Sequence, residues 1–155
     1  MKIISSATVA LLICLQVFLA CSTPRNSKTE SIEMNIIPKP QAMMIQGGEF
    51  IFAEVTSVWI SDDITSKAFF MDYLNSIIPN MKAGTQGKAD IEIHRIQDAS
   101  MPEEGYHFQV SSHAIQITAA DDPGFFYGIQ TLRQLLPASA EQGVNSLAGH
   151  SIPAV

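Results

Sequence analysis

The chain has 155 residues and carries 9 Lys and Arg against 15 Asp and Glu, a formal net charge of -6. This length suits one modest domain, and 46% apolar with 15% charged residues is too hydrophobic for an intrinsically disordered chain. An acidic chain without a run of Lys or Arg lacks the electrostatic footprint of a nucleic-acid-binding protein. A (β/α)8 barrel, which takes about 250 residues, does not fit either.

The N-terminal segment has the outline of a bacterial export signal. Lys2 precedes a mostly apolar stretch over residues 7–20, which is shorter than the ~20 residues that span a bilayer and ends directly before Cys21. This arrangement resembles a lipoprotein signal, in which Cys21 becomes the acylated N-terminus. We predict a lipoprotein signal peptide over residues 1–20 and a polar tether over residues 21–35.

These predictions imply a place in the bacterial cell envelope, with the protein held on a membrane through a lipid anchor in the periplasm or at the outer membrane. An ordinary secreted protein and an uncleaved anchor are the alternatives. The two cysteines are Cys14 and Cys21, so processing leaves Cys21 alone. Neither a disulfide framework nor a cysteine-based zinc site is therefore expected.

The body of the chain begins with a predicted extended segment and a hairpin. Two prolines hold residues 36–40 in an extended conformation. Short apolar runs over residues 42–46 and 49–53 flank Gly47 and Gly48, a pair that supplies the positive φ of a two-residue turn. The pattern predicts that these two runs pair with each other.

A third strand and a helix follow. Residues 56–60 are rich in strand-forming side chains. After them, apolar residues recur at gaps of 4, 3, 3 and 4, which places them on one face of a helix ended by Pro79. The members of this stripe are Ile64, Ala68, Met71, Leu74 and Ile78.

Alternating strands dominate the next part of the chain. Residues 81–88 are predicted to form a loop, and residues 89–94 alternate with period two. Residues 106–110 and 114–118 alternate likewise around a serine pair, which predicts a second hairpin.

A second helix is predicted to start after Asp121, where an acidic cap precedes a proline, and to end at the next proline. Gly128 lies within its apolar stripe, and a close approach of helix to sheet explains a glycine there. We expect Leu132 to be buried and Gln130 and Gln134 to face solvent.

Residues 138–149 are predicted to form a loop, and residues 151–155 to begin another extended segment. Together these elements predict an α+β fold, a mainly antiparallel sheet with two helices packed on one face. Residues 36–155 form this domain.

Acidic residues occur in three adjacent pairs, and paired carboxylates are the usual apparatus of glycoside hydrolysis. Two of the pairs precede helices and the third lies in a turn, so capping and turn roles are favoured over catalysis. The pairs are Asp62-Asp63, Glu103-Glu104 and Asp121-Asp122.

The four histidines lack the spacing of a zinc-binding helix. They are His94, His107, His113 and His150. Alternation places His94 and His107 on the polar faces of strands, where solvated surface histidines are expected. No catalytic, metal-binding or cofactor-binding residue is predicted.

Three consecutive aromatic residues open the second helix. Helical spacing predicts that Phe125 belongs to the core, which leaves Phe126 or Tyr127 available for an interdomain contact. A sugar-stacking platform is the alternative reading of this aromatic stretch.

Two stretches of the sequence resemble the N-terminal domain of bacterial β-N-acetylhexosaminidases, the family 20 glycoside hydrolases. The first is IIPKPQ at residues 36–41, followed by GGEF at residues 47–50. The second and more distinctive comprises GYHFQV at residues 105–110, IQITAAD at residues 115–121 and GFFYGIQTLRQLLP at residues 124–137.

The resemblance implies a non-catalytic accessory domain that packs on a downstream catalytic (β/α)8 barrel and helps it to fold. The family's catalytic Asp and Glu lie on that barrel and match no residue of this chain, which stops at Val155 before the barrel would begin. The parent enzyme would remove terminal N-acetylglucosamine or N-acetylgalactosamine from glycans, without a cofactor. The alternatives are the N-terminal domain of another barrel glycosidase and a stand-alone envelope lipoprotein that binds a sugar or a partner.

Overall fold

The computed structural model describes residues 34–143 and 145–155. The predicted signal peptide, Cys21 and the tether up to residue 33 lie outside the described residues. The helices are α1 (Lys67–Ile77), α2 (Asp122–Leu135) and α3 (Ala138–Glu141). The strands are β1 (Glu49–Ile51), β2 (Thr56–Ile60), β3 (Met81–Ala83), β4 (Ile91–Arg95), β5 (Tyr106–Val110), β6 (Ile115–Ala119) and β7 (Ser151–Pro153).

Five strands form a mixed sheet in the order β3-β2-β4-β6-β5. β2 pairs in parallel with β3 and β4, β4 pairs in parallel with β6, and β5 and β6 form the predicted antiparallel hairpin. The α+β class is confirmed. We expected antiparallel pairing to predominate, but among the described residues it occurs only between β5 and β6 and between β1 and β7. The other pairs are parallel because crossover connections such as α1 return the chain to the same end of the sheet.

The first predicted hairpin is wrong. Residues 42–46 form no strand, and β1 pairs instead with β7, Phe50 lying opposite Ile152. Gly48 does adopt the positive φ that the sequence indicated, at 108°, but it lies in a bend that joins no hairpin. The partner strand lies near the C-terminal end of the described chain, and a turn signal in the sequence predicts pairing only between the two segments that flank the turn.

The β1–β7 ribbon is joined to the five-stranded sheet at its β5 edge. The N–H group of Val110 donates to the carbonyl of Val155 at 3.0 Å, and the N–H group of Val155 donates back to the carbonyl of Val110 at 3.2 Å. The segment predicted as extended, residues 151–155, therefore connects the ribbon to the sheet.

Both main helices cover one face of the sheet, as predicted. Phe70 of α1 and Phe125 of α2 meet with their ring centroids 6.0 Å apart. Beneath them lie two rows of buried sheet residues, paired across β2, β4 and β6. The rows are Val58, Ile91 and Ile115, and Ile60, Ile93 and Ile117.

Most of the apolar stripe predicted for α1 is confirmed, since Ile64, Leu74 and Ile78 are buried. The helix begins at Lys67, so Ile64 precedes it, and Ala68 is exposed. Its buried residues are Phe70, Leu74 and Ile77. The two predicted loops also hold short elements, β3 within residues 81–88 and α3 within residues 138–149.

Helix α2 lies close to β6, and Gly128 is the reason that it can. A Cβ atom at position 128 would meet Cγ2 of Ile117 at 2.4 Å, well inside van der Waals contact. Leu132, on the same side of α2, is fully buried. The close approach and the burial that the sequence predicted are both confirmed.

Candidate functional site

Four aromatic side chains lie on the outward side of the two main helices and form a surface that we call the aromatic face: Phe69, Tyr73, Phe126 and Tyr127. Phe69 stacks on Tyr73 with centroids 6.4 Å apart, and Tyr73 contacts Phe126 at 6.3 Å. Phe126 meets Tyr127 edge to face at 5.8 Å. Phe69 is 56% exposed and Tyr127 is 40% exposed, so the aromatic face is open.

The polar groups beside the aromatic face bond to one another. The amide nitrogen of Gln130 donates to the hydroxyl oxygen of Tyr73 at 2.8 Å. One turn further along α2, Gln134 accepts from the N–H group of Ile37 at 2.8 Å and donates to the carbonyl of Ile37 at 3.0 Å. Ile37 is 79% exposed and adds an apolar side chain next to the helix.

This arrangement suits contact with another protein surface. Exposed apolar area that is continuous across two elements marks interaction sites, and aromatic residues are enriched in them. Burying a polar group is costly only when its hydrogen bonds are lost. Tyr73, Gln130 and Gln134 each make a hydrogen bond within the domain, which reduces the cost of covering them with an apolar partner.

The acidic pair Asp121-Asp122 has a local structural role at the start of α2. Asp121 caps α2, accepting from the N–H group of Gly124 at 2.8 Å, and also accepts from the N–H group of Glu104 at 3.1 Å. Glu104 itself is exposed in a turn with a φ of 64°. Asp122 binds Arg95 at 3.0 Å and accepts a hydrogen bond from the Ser66 hydroxyl.

The pair before α1 does not cap that helix as predicted. Ser66 is the N-cap residue, and its side chain makes no capping hydrogen bond. Asp62 instead contacts the Lys67 ammonium at 2.6 Å. The hydrogen bond and the positive charge of Lys67 lower the pKa of Asp62, which is fully exposed.

The histidines divide into two groups. His107 and His113 are exposed, as predicted for His107. His94 is half-buried and its Nε2 lies 2.9 Å from the Glu92 carboxylate, so it is not simply solvated. His150 stacks on a phenylalanine ring in the core. Within the described residues, no three His, Cys, Asp or Glu side chains are placed to hold a metal ion.

Sequence reasoning missed Arg95, which links three elements. Its guanidinium lies 5.4 Å from the centroid of the Phe125 ring, and Nη1 donates to the carbonyl of Ala120 at 2.7 Å. Its ion pair with Asp122 connects the end of β4 to the first turn of α2. An arginine that ends an alternating strand gives no signal of this role.

Comparisons with known proteins agree with this architecture. The sequence profile of Glycosyl hydrolase family 20, domain 2 matches residues 33–155. A Beta-hexosaminidase of Porphyromonas gingivalis is 26% identical over 164 residues, covering 94% of this chain and 20% of the relative.

Solved structures give the same match. The N-acetyl-beta-hexosaminidase of Streptomyces plicatus is 27% identical with a TM-score of 0.59, over 77% of this chain and 26% of that one. The beta-N-acetylhexosaminidase of Bacteroides fragilis, 24% identical, shares the fold with a TM-score of 0.59 over 77% of this chain and 23% of its own.

Among the described residues, none of the helices has the length and apolar character of a membrane-spanning segment.

The chain spans about a fifth to a quarter of the length of these relatives. In this family, domain 2 sits with a catalytic barrel in the same protein. The profile match over most of the chain, together with the shared fold, shows that the chain belongs to glycosyl hydrolase family 20, domain 2.

Proposed function

We propose that residues 34–155 are a non-catalytic support domain of a β-N-acetylhexosaminidase, and that the catalytic barrel docks on the aromatic face. The open aromatic face carries this proposal. It joins Phe69 and Tyr73 of α1 to Phe126 and Tyr127 of α2. Its polar neighbours Gln130 and Gln134 make hydrogen bonds within the domain, which reduces the cost of covering the aromatic face with a barrel surface.

A support role also accounts for the acidic residues. General acid catalysis needs a carboxyl group held in a water-excluding pocket with a raised pKa. Asp62 is fully exposed and its pKa is lowered, the opposite direction. Asp121 and Asp122 are committed to capping and to Arg95.

The parent enzyme would hydrolyse terminal N-acetylglucosamine or N-acetylgalactosamine from glycans. A similar structure, 24% identical, is described as an exo beta-N-acetylglucosaminidase of Vibrio harveyi. The predicted lipidation of Cys21 would place this activity in the bacterial envelope.

Two chains test the catalytic part of the proposal: the 155-residue chain and the same chain fused to a family 20 barrel. We expect p-nitrophenol to be released from p-nitrophenyl N-acetylglucosaminide only by the fused chain. The proposal would be overturned if the 155-residue chain released p-nitrophenol and lost this activity when Glu103 and Glu104 were replaced. An active barrel that gains nothing from the attached domain would favour the stand-alone lipoprotein.

Docking on the aromatic face is tested with Phe126→Ala in the fused chain. We expect a lower temperature of thermal inactivation there, with little change in the unfolding of the 155-residue chain, because Phe126 is partly exposed. Met44→Ala is the matched control, since Met44 is 78% exposed and lies outside the aromatic face. Equal loss in both chains would mean that Phe126 stabilises only its own domain.

The anchor is tested by mass spectrometry of the membrane fraction. We expect an N-terminal peptide that starts at an acylated Cys21, and a Cys21→Ala protein that is not processed in this way. A soluble N-terminus without a lipid would favour the ordinary secreted protein.

A further inference from the structure

The second face of the sheet, opposite the two helices, carries polar side chains around the chain's single tryptophan. Register places Trp59, Glu92 and Gln116 side by side on three neighbouring strands, and His94 beside Thr118 in the next row. Residues paired in this way share one face of the sheet. We call these five residues the Trp59 platform.

The central carboxylate of the Trp59 platform is fixed. Glu92 is only 3% exposed, although it lies on the face away from the main core. One oxygen lies 2.9 Å from Nε2 of His94, and the other accepts from the N–H group of Ala89 at 3.3 Å. A carboxylate is rarely buried without such partners, so its position is set before any ligand arrives.

His94 in turn fixes the tryptophan. The imidazole ring lies 5.0 Å from the Trp59 indole, tilted by 53°. Trp59, His94, Gln116 and Thr118 remain half-buried, so each keeps some surface open to solvent. The Trp59 platform is therefore a preorganised aromatic surface bordered by hydrogen-bonding groups, and preorganisation lowers the cost of binding.

We propose that the Trp59 platform binds a pyranose unit of an uncharged glycan. A sugar ring presents an apolar C–H face that packs on an indole, and hydroxyl groups that hydrogen-bond to amide, hydroxyl and carboxylate oxygens. Trp59 provides the ring surface, Gln116 and Thr118 provide uncharged hydrogen-bonding groups, and the buried Glu92 holds His94 in place beside the indole.

Charge favours this ligand over others. The carboxylate of Glu92 is buried and hydrogen-bonded to the imidazole of His94, and Trp59, Gln116 and Thr118 are uncharged. The platform also lies on the face opposite the helices, so it stays accessible when a barrel covers the aromatic face.

Trp59 is itself the reporter for the test, because its fluorescence is the only tryptophan signal of the 155-residue chain. The probe is a β-1,4-linked tetramer of N-acetylglucosamine. We expect a saturable change in Trp59 emission and a matching calorimetric dissociation constant of about 1 mM, typical of a weak open site. Maltotetraose is an uncharged glycan without acetamido groups, so the ratio of the two dissociation constants measures how much the acetamido group contributes to binding.

Variants locate the binding surface. By calorimetry, Trp59→Ala and Gln116→Ala should each weaken binding by roughly tenfold, which corresponds to about 1.4 kcal/mol. Trp59→Tyr should retain part of the affinity, since an aromatic ring remains. Met44→Ala, an exposed apolar change outside both the aromatic face and the Trp59 platform, is the control and should bind as the unchanged protein does.

Three outcomes would overturn the proposal. The first is no saturable signal with either glycan. The second is equal weakening by Met44→Ala, which would show that binding does not depend on the Trp59 platform. The third is concentration-dependent dimerisation that Trp59→Ala abolishes in sedimentation experiments, which would make a second copy of the chain the occupant. Should Trp59→Ala fail to fold, Gln116→Ala and Trp59→Tyr still decide between these results.

Discussion

The side-chain amide of Gln134 pairs with the backbone of Ile37 as a neighbouring strand would, accepting one hydrogen bond at 2.8 Å and donating another at 3.0 Å. Ninety-seven residues separate the two positions. This pair attaches the segment around Ile37 to α2, and the neighbouring Ile36 is buried. Gln134 is exposed as predicted, yet its position is structurally constrained.

We predict that Gln134→Ala releases the segment around Ile37. Loss of the two hydrogen bonds should lower the free energy of unfolding by about 1 kcal/mol, and hydrogen exchange at the Ile37 amide should become faster. Gln109→Ala, an exposed glutamine on β5, is the control and should change neither quantity. Unchanged protection at Ile37 would show that Ile36 alone holds the segment.

Leu132→Ala should destabilise the domain by about 2–5 kcal/mol, because Leu132 is fully buried between α2 and the sheet. Urea unfolding of the 155-residue chain measures this change. The same helix offers Gln130→Ala for comparison, which removes only the hydrogen bond to Tyr73 and should cost about 1 kcal/mol. Similar losses for the two variants would contradict the burial of Leu132.

Gly128→Ala should destabilise the domain although alanine favours helices. The added Cβ would meet Cγ2 of Ile117 at 2.4 Å, and overpacking of this kind costs about 1–3 kcal/mol, against about 1 kcal/mol gained in helix propensity. Substitutions of Ile117 provide the control, because its Cγ2 is the atom that the new Cβ would meet. Ile117→Ala removes Cγ2 and should reduce the cost of Gly128→Ala, whereas Ile117→Val keeps Cγ2 and should not.

The Asp62–Lys67 pair predicts a small pH dependence. In the folded protein the hydrogen bond and charge of Lys67 lower the pKa of Asp62 from its ordinary value. The stabilisation that Asp62 gives the folded state is therefore present above its unfolded pKa and is lost as the pH falls through its folded pKa. Lys67→Met should return the Asp62 pKa toward its ordinary value in an NMR titration, and 1 M salt should do so in part. A titration that Lys67→Met leaves unchanged would show that the pair does not persist in solution.

Several elements were predictable because their signals are local. Period-two alternation identified β4, β5 and β6, and the acidic pair before Pro123 located the start of α2 and its cap, Asp121. Gly128 indicated a close approach because an otherwise apolar helical stripe contained a residue with no side chain. In each case the deciding interaction lies within one element or between elements adjacent in the chain.

The pairing of strands was not predictable in the same way. Alternation in β4 separates the side chains of its two faces but does not give the direction of the neighbouring strand. The partner of β1 lies about 100 residues away, so the glycine turn beside it gave no information on pairing. The Trp59 platform also needs the register of three strands, which the sequence alone does not specify.

The reciprocal bond between Val110 and Val155 has a consequence for folding of the chain. β1 precedes β7, its pairing partner, by about 100 residues, and the β5 edge is bonded by Val155. Until these distant segments meet, β1 and β5 present unpaired backbone groups, the feature that promotes association between partly folded chains. Closing the outer edges of the fold therefore depends on contacts between segments far apart in the sequence, which form slowly.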